Sequence, residues 1–181
     1  PSMYNSMREH EQLTLDSVST FADGIAVKHP GDLTYQLCEK YVDEVVTVTD
    51  DEIATAILAL IEQQKMVSEG AGAVAVAACM FGKIDTKGKK VVCVVSGGNI
   101  DVNILSRVIS RGLLMEGRLL DVTIALADKP GELTHVSDII ASTGANIISV
   151  RHTRSDIDMD INSCFLSLQM ETRNKAHADE V

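Results

Sequence analysis

The sequence predicts an α/β segment followed by a smaller α+β unit. Three observations predict it. Between about residues 24 and 110, short apolar runs alternate with segments of helical period, the pattern of an α/β unit. From residue 119 onward the order reads strand, helix, strand, strand, helix. The 181 residues are 45% hydrophobic, well above the range of disordered chains, so a sizeable core can be buried.

Residues 1–22 show no clear period and many small polar side chains, which reads as an extended lead-in. Ile25-Ala26-Val27 is a short apolar run, and Pro30-Gly31-Asp32 is a turn and cap signal before a helix over residues 33–42. Asp43-Glu44 breaks that pattern, and the β-branched Val45-Val46-Thr47-Val48 reads as a strand. Thr49-Asp50-Asp51-Glu52 pairs a capping residue with acids in a first helical turn, where the positive end of the helix dipole favours negative charge. A helix over residues 51–65 follows, with Ile53, Ile57, Leu60 and Ile61 on one face. Residues 69–81 form a second helix, apolar all round and so buried. A Lys-rich loop leads to residues 90–95, whose continuous run Val91-Val92-Cys93-Val94-Val95 is that of a strand covered on both faces in a parallel sheet. A helix begins near Asp101.

Two glycines bracket residues 112–117, and the domain boundary is placed there, giving domains 1–112 and 113–181. The second contains a strand at 119–127, the turn Asp128-Lys129-Pro130-Gly131, a helix at 132–143 and a strand at 145–153. A polar loop at 154–162 with an acidic stretch at 156–160, a strand at 163–171 and a helix starting at Asn174 complete it. That is one strand short of a ferredoxin-like βαββαβ unit.

Charge and cysteine usage narrow the function classes. A formal net charge of −10 repels phosphate backbones and anionic membrane surfaces, and 3% aromatic residues with no Trp leave little for stacking bases, so neither nucleic acid nor membrane is an expected partner. The longest apolar run is too short to span a bilayer, and no secretory signal opens the chain, so it is read as a cytoplasmic protein. Cys38, Cys79, Cys93 and Cys164 lie far apart, without zinc-site spacing, and are read as small buried hydrophobes. His135 and His152 have no partner at ligand spacing, so no metal is expected; the acidic stretch at 156–160 reads as a solvated hairpin loop. The chain begins at Pro1 rather than Met, which reads as a fragment, a processed chain or an incompletely recorded one.

Two segments can carry chemistry. Ser96-Gly97-Gly98-Asn99 follows an apolar strand and precedes a helix, the place where open α/β sheets bind ligands. Its glycines permit close backbone approach and its hydroxyl can donate to or accept from a ring heteroatom, although the tetrapeptide alone also reads as an ordinary turn. Glu69 opens the Gly/Ala helix either as a dipole-stabilised surface charge or as a site residue. Gly70 and Gly72 favour the second, because each costs about 1 kcal/mol relative to Ala in a helix.

Taken together, Phe21-Ala22-Asp23-Gly24, Asp43-Glu44-Val45-Val46-Thr47-Val48, Asp51-Glu52-Ile53, Glu69-Gly70-Ala71-Gly72-Ala73 and Ser96-Gly97-Gly98-Asn99-Ile100-Asp101 resemble, in order and spacing, the C-terminal part of the catabolic-type serine/threonine dehydratases. These are fold-type-II pyridoxal-phosphate enzymes. The resemblance covers residues 21–112. It implies conversion of L-threonine, or serine, to a 2-oxo acid (2-oxobutanoate from threonine) and ammonia, with pyridoxal 5'-phosphate as cofactor. It places Ser96 by the pyridine nitrogen of the cofactor, Glu69 near the cofactor, Gly24 in the lining of its pocket, and Gly97 and Gly98 beside the ring. The family's Schiff-base lysine, substrate-carboxylate loop and phosphate cup lie upstream of this stretch. No lysine here stands in an S-x-K context, so the chain supplies no catalytic residue of that kind and is not expected to hold the cofactor covalently.

The second half carries its own likeness. Asp128-Lys129-Pro130-Gly131-Glu132-Leu133 followed by Gly144-Ala145-Asn146-Ile147 resembles an ACT-type regulatory domain, here incomplete at its C-terminus. The resemblance implies that Asp128, Gly131, Leu133 and Asn146 bind an amino-acid effector at the interface of a homo-oligomer, a dimer or tetramer. Physically, Pro130 pre-sets the turn and Gly131 opens the backbone where free N–H groups can hold a carboxylate. The alternative is a non-catalytic amino-acid-binding module in which the α/β segment only supports the second domain.

Overall fold

The computed structural model describes residues 1–154 and 160–181 and divides into two compact units, Pro1–Arg111 and Gly112–Val181. In the first, five α-helices appear among the described residues: α1 (Ser2–Glu9), α2 (Asp32–Tyr41), α3 (Asp50–Ala59), α4 (Gly70–Met80) and α5 (Val102–Met115), the last running on into the second unit. A 3-10 turn spans Asp23–Ile25, and α3 ends in a π-turn over Leu60–Gln64.

The apolar spacing in the sequence explains the core of the first unit. Ile53, Ala54, Ala56, Ile57 and Leu60 pack against Ala73 and Ala77 of α4, with Ala22 and Val108 closing the cluster. Alanine on both helices lets their backbones approach closely. The start of α3 is fixed by a capping box: the Thr49 hydroxyl accepts from the Glu52 N–H at 3.2 Å and the Glu52 carboxylate accepts from the Thr49 N–H at 2.8 Å. Lys83 Nζ, 2.8 Å from the other Glu52 oxygen, ties in the loop after α4. We expect Thr49→Ala to cost about 1 kcal/mol, measured by chemical denaturation. Lys83, and then the Thr49 N–H, hold the Glu52 carboxyl below its ordinary value of 4.5. Its contribution to stability is therefore complete above that value and is lost as the pH falls through the folded group's lower one. The cost of Glu52→Gln, which removes that charge, should shrink between pH 7 and pH 3.

Three features differ from the sequence-based expectation. Residues 2–9 form a helix, where a lead-in was expected, because its buried face is made of serines: Ser2 Oγ donates to the Val27 carbonyl at 2.6 Å and Ser6 Oγ accepts from the Leu13 N–H at 2.9 Å. Residues 45–48 and 90–95 are not strands, and Val92 and Val94 are 90% and 74% exposed rather than covered on both faces. A strand exists only through its ladder partners, and no strand lies beside these runs among the described residues. Helix α5 continues through Gly112 to Met115, so most of the glycine-bracketed segment at which the domain boundary is placed is helical; one glycine in a 14-residue helix is a tolerable penalty.

The second unit contains β1 (Leu119–Ala127), α6 (Glu132–Thr143), β2 (Asn146–Thr153), β3 (Ser163–Glu171) and α7 (Lys175–Glu180), in the expected order. The antiparallel sheet has the order β1-β3-β2, so β3 is central and its residues alternate in burial along its length. Leu166, Leu168 and Met170 of β3 pack on Val136 and Ile140 of α6. Helix α7 is locked by His177, whose Nδ1 accepts from the Arg173 N–H at 3.0 Å while its Nε2 meets the Thr143 carbonyl at 2.9 Å. That pair of partners requires the neutral tautomer protonated on Nε2. Apart from Asp160, the acidic stretch 156–160 lies outside the described residues. No helix among the described residues is long and apolar enough to cross a membrane.

Candidate functional site

In the first unit, the segments singled out in the sequence meet. Glu69 is the residue before α4, and its N–H donates to the Gly97 carbonyl at 3.2 Å. The buried Ser68 hydroxyl bridges the Gly97 carbonyl at 3.3 Å and the Glu69 carbonyl at 3.0 Å. The first turn of α4 is thereby fastened to the turn at 96–98 through backbone groups. Close approach explains its glycines: a Cβ on Gly72 would overlap the Ser96 carbonyl, and one on Gly70 would come within 2.9 Å of Ala22 Cα and the Phe21 ring.

The third segment arrives through the 3-10 turn. A Cβ on Gly24 would touch Ala71 Cβ at 3.0 Å and lie 3.5 Å from a Glu69 carboxylate oxygen. Gly97 has φ +75°, a conformation that favours glycine, and a Cβ there would run into the same Glu69 carboxylate. Gly24, Glu69 and Gly97 therefore share one spot, with Ser96 and Gly98 exposed beside it. This arrangement presents a carboxylate, a hydroxyl and bare backbone on a single surface, at the positive end of α4.

In the second unit, Asp128, Gly131 and Leu133 line one hollow of about 200 Å³ with His152, Arg154 and Cys164. Gly131 precedes α6 with φ +98°, and nothing lies within 4 Å of where its Cβ would stand. The Asp128 carboxylate meets Arg154 Nε at 3.1 Å. Asn146 is elsewhere: it pairs in register with Glu171 at the end of the sheet opposite the turn, and its side-chain amide donates to the Glu171 carboxylate at 2.8 Å. With Leu119 also opposite Glu171 and β1 ending at Ala127, eight strand steps of about 3.3 Å put Asn146 about 26 Å from the turn within one chain.

The structure also joins residues that the sequence keeps apart. The thiols of Cys79 and Cys93 meet at 3.4 Å, and burial pushes the Cys93 thiol up, aided by its contact with Cys79. Asp128, His152 and Cys164 bring one ligand atom each to within 4.8 Å of one another. None of these groupings is visible as a spacing, since their members lie 12 or more residues apart and only the tertiary fold brings them together.

Comparison with known proteins finds relatives for this chain. Residues 1–97 match the family described as pyridoxal-phosphate dependent enzyme. Over all 181 residues the chain is 49% identical to an L-threonine ammonia-lyase of Thermotoga maritima and 41% identical to one of Geobacter sulfurreducens, spanning 45% of the length of each. Among solved structures it resembles the processed form of threonine deaminase isoform 2 from Solanum lycopersicum, with a TM-score of 0.56 at 36% identity, over 62% of this chain and 32% of that one.

Proposed function

The chain belongs to the pyridoxal-phosphate dependent enzymes, and from that premise we propose that it is part of a threonine ammonia-lyase that converts L-threonine, or serine, to the 2-oxo acid and ammonia. The observation that carries the proposal is the convergence of Gly24, Glu69 and Ser96-Gly97-Gly98 on one surface. Bare backbone at Gly24 and Gly97 lets the Glu69 carboxylate pack close against both, and a flat cofactor ring would lie beside it on the exposed Ser96 hydroxyl and Gly98 backbone. Bound pyridoxal phosphate supplies an electron sink for bond breaking at the amino acid. Ser96 would face the ring nitrogen with a neutral hydroxyl, a different electronic choice from a carboxylate that keeps that nitrogen protonated. The Gly97 and Gly98 backbone would lie beside the ring, Gly24 would line the pocket, and Glu69, anchored at the start of α4, would set the negative charge nearby. No lysine of this chain has the S-x-K context that the resemblance requires for covalent attachment. Spectroscopy of the 181-residue chain, purified and freed of unbound cofactor by gel filtration, is expected to give no hydroxylamine-sensitive band, whereas the full-length protein treated in the same way gives one.

The second unit is read as an ACT-type effector module of a homo-oligomer. β2 is an edge strand with Ile148 and Val150 half-exposed, and exposed apolar edges tend to pair. Because Asn146 and the Asp128–Gly131 turn stand at opposite ends of one sheet, an effector held by both must lie between two copies. Val150→Lys is expected to shift the full-length protein to a smaller species in sedimentation. Titrating isoleucine, valine, threonine and serine calorimetrically should find one that binds, with binding lost in Gly131→Ala. That substitution forces a side chain into φ +98°, a strain of about 1–3 kcal/mol. Unchanged binding in Gly131→Ala, or a strictly monomeric native protein, would reject this reading of the second unit and leave the lyase reading intact.

A further inference from the structure

We propose that Asp128, His152 and Cys164 form a binding site for a borderline-soft divalent cation of the zinc type. The register of the sheet carries the argument. Residues opposite one another on antiparallel strands point to the same face, as do residues two apart on one strand. Cys164 stands opposite Leu126 and two residues from Leu166, while His152 stands opposite Leu166. Asp128 follows Leu126 by two, and its N–H donates to the Asn162 carbonyl at 2.9 Å, so the pairing extends past the end of β1. Asp128 and His152 are thus the two diagonal neighbours of Cys164, one on each flanking strand, on the same face at one end of the sheet. Diagonal neighbours stand about 7–8 Å apart at the backbone, within reach of a common point for side chains of this length.

The side chains do converge: a carboxylate oxygen, an imidazole nitrogen and the thiol sulfur all lie within 4.8 Å of one another. Three protein ligands of these types, with bonds of about 2.0–2.3 Å, stand about 3.3–3.8 Å apart around a tetrahedral ion and leave its fourth position for water. Closing the difference takes small side-chain rotations. Cys164 is only 3% exposed and would anchor the site from below, whereas Asp128 and His152 are exposed and offer entry from solvent. Sulfur and imidazole together select zinc, cobalt or nickel over magnesium or calcium. Binding converts the Cys164 thiol to a thiolate, with its proton passing to solvent. Arg154, whose Nε is 3.1 Å from Asp128 Oδ1, is placed to compete, so it must swing away or leave Asp128 Oδ2 to the metal. The site depends on neither the lyase nor the effector reading.

Cobalt(II) is the probe, titrated into the metal-free full-length protein kept reduced. One equivalent is expected to raise the ultraviolet charge-transfer band of a thiolate–cobalt bond together with visible bands of tetrahedral intensity, and zinc should bleach both. Cys164→Ser should remove the charge-transfer band. His152→Ala, an exposed position whose loss leaves the core intact, should weaken binding by at least about 100-fold, since even changes to groups supporting a ligand cost about 10–100-fold. Arg154→Ala should bind as tightly or more tightly. Absence of the band at one equivalent, its persistence in Cys164→Ser with loss in a Cys79→Ser/Cys93→Ser double variant, or full affinity in His152→Ala would each overturn the proposal.

Discussion

Gly72→Ala in the full-length protein is expected to lose the cofactor and to lower stability by about 3 kcal/mol, the upper part of the usual range for overpacking. Gly72 is buried in the first turn of α4, and a Cβ there would overlap the Ser96 carbonyl oxygen and come within 2.8 Å of its carbonyl carbon. The nearest obstructing atom is backbone, so it cannot step aside by changing a rotamer. Either α4 or the turn at 96–98 must move, and with it Ser96, Gly97 and the Glu69–Gly97 hydrogen bond. Cofactor content after gel filtration, read beside the denaturation midpoint, checks both effects. A variant that keeps its cofactor and its midpoint would show that the helix–turn contact does not build the site.

Ser96→Ala in the same protein should separate catalysis from folding. The Ser96 side chain is exposed and fills no core, so its removal should cost folding no more than about 0.5–1.5 kcal/mol. A hydrogen bond to a group whose charge changes during reaction is worth about 1.5–3 kcal/mol, which corresponds to a fall in turnover of about 10- to 100-fold. Turnover per folded molecule, measured beside the unfolding midpoint, distinguishes the two. Early unfolding with normal turnover would make Ser96 a structural residue and remove the hydroxyl from the mechanism.

Local order in this protein was written in the sequence. Ile53 and Ile57 of α3 and Leu60 just beyond it are in the core as their spacing predicts, although α3 is buried from Ile53 to Leu58 on every side, and Thr49 with Glu52 determines where that helix starts. Likewise Gly131 and Gly144, both at positive φ, delimit α6 between β1 and β2. Such features involve residues within a turn or two of one another, so composition and spacing encode them. Gly70 and Gly72 signalled in advance that something approaches α4 closely, although only the structure names the Ser96 carbonyl and the Phe21 ring as the neighbours.

Tertiary structure decided everything that depends on what lies opposite. Val45-Val46-Thr47-Val48 and residues 90–95 have strand composition yet no ladder, because β structure requires a partner strand that these residues do not find among the described residues. Helix α1 carries no apolar period because its inward face is Ser2 and Ser6, satisfied by the Val27 carbonyl and the Leu13 N–H rather than by apolar burial. Asn146 looks adjacent to the Gly131 turn when only the helix between them is counted, but antiparallel pairing carries it to the far end of the sheet. The same pairing gathers Asp128, His152 and Cys164, three residues without any ligand spacing. Period and propensity act along the chain, whereas register acts across it, and the register was fixed only when Leu166, Leu168 and Met170 found Val136 and Ile140.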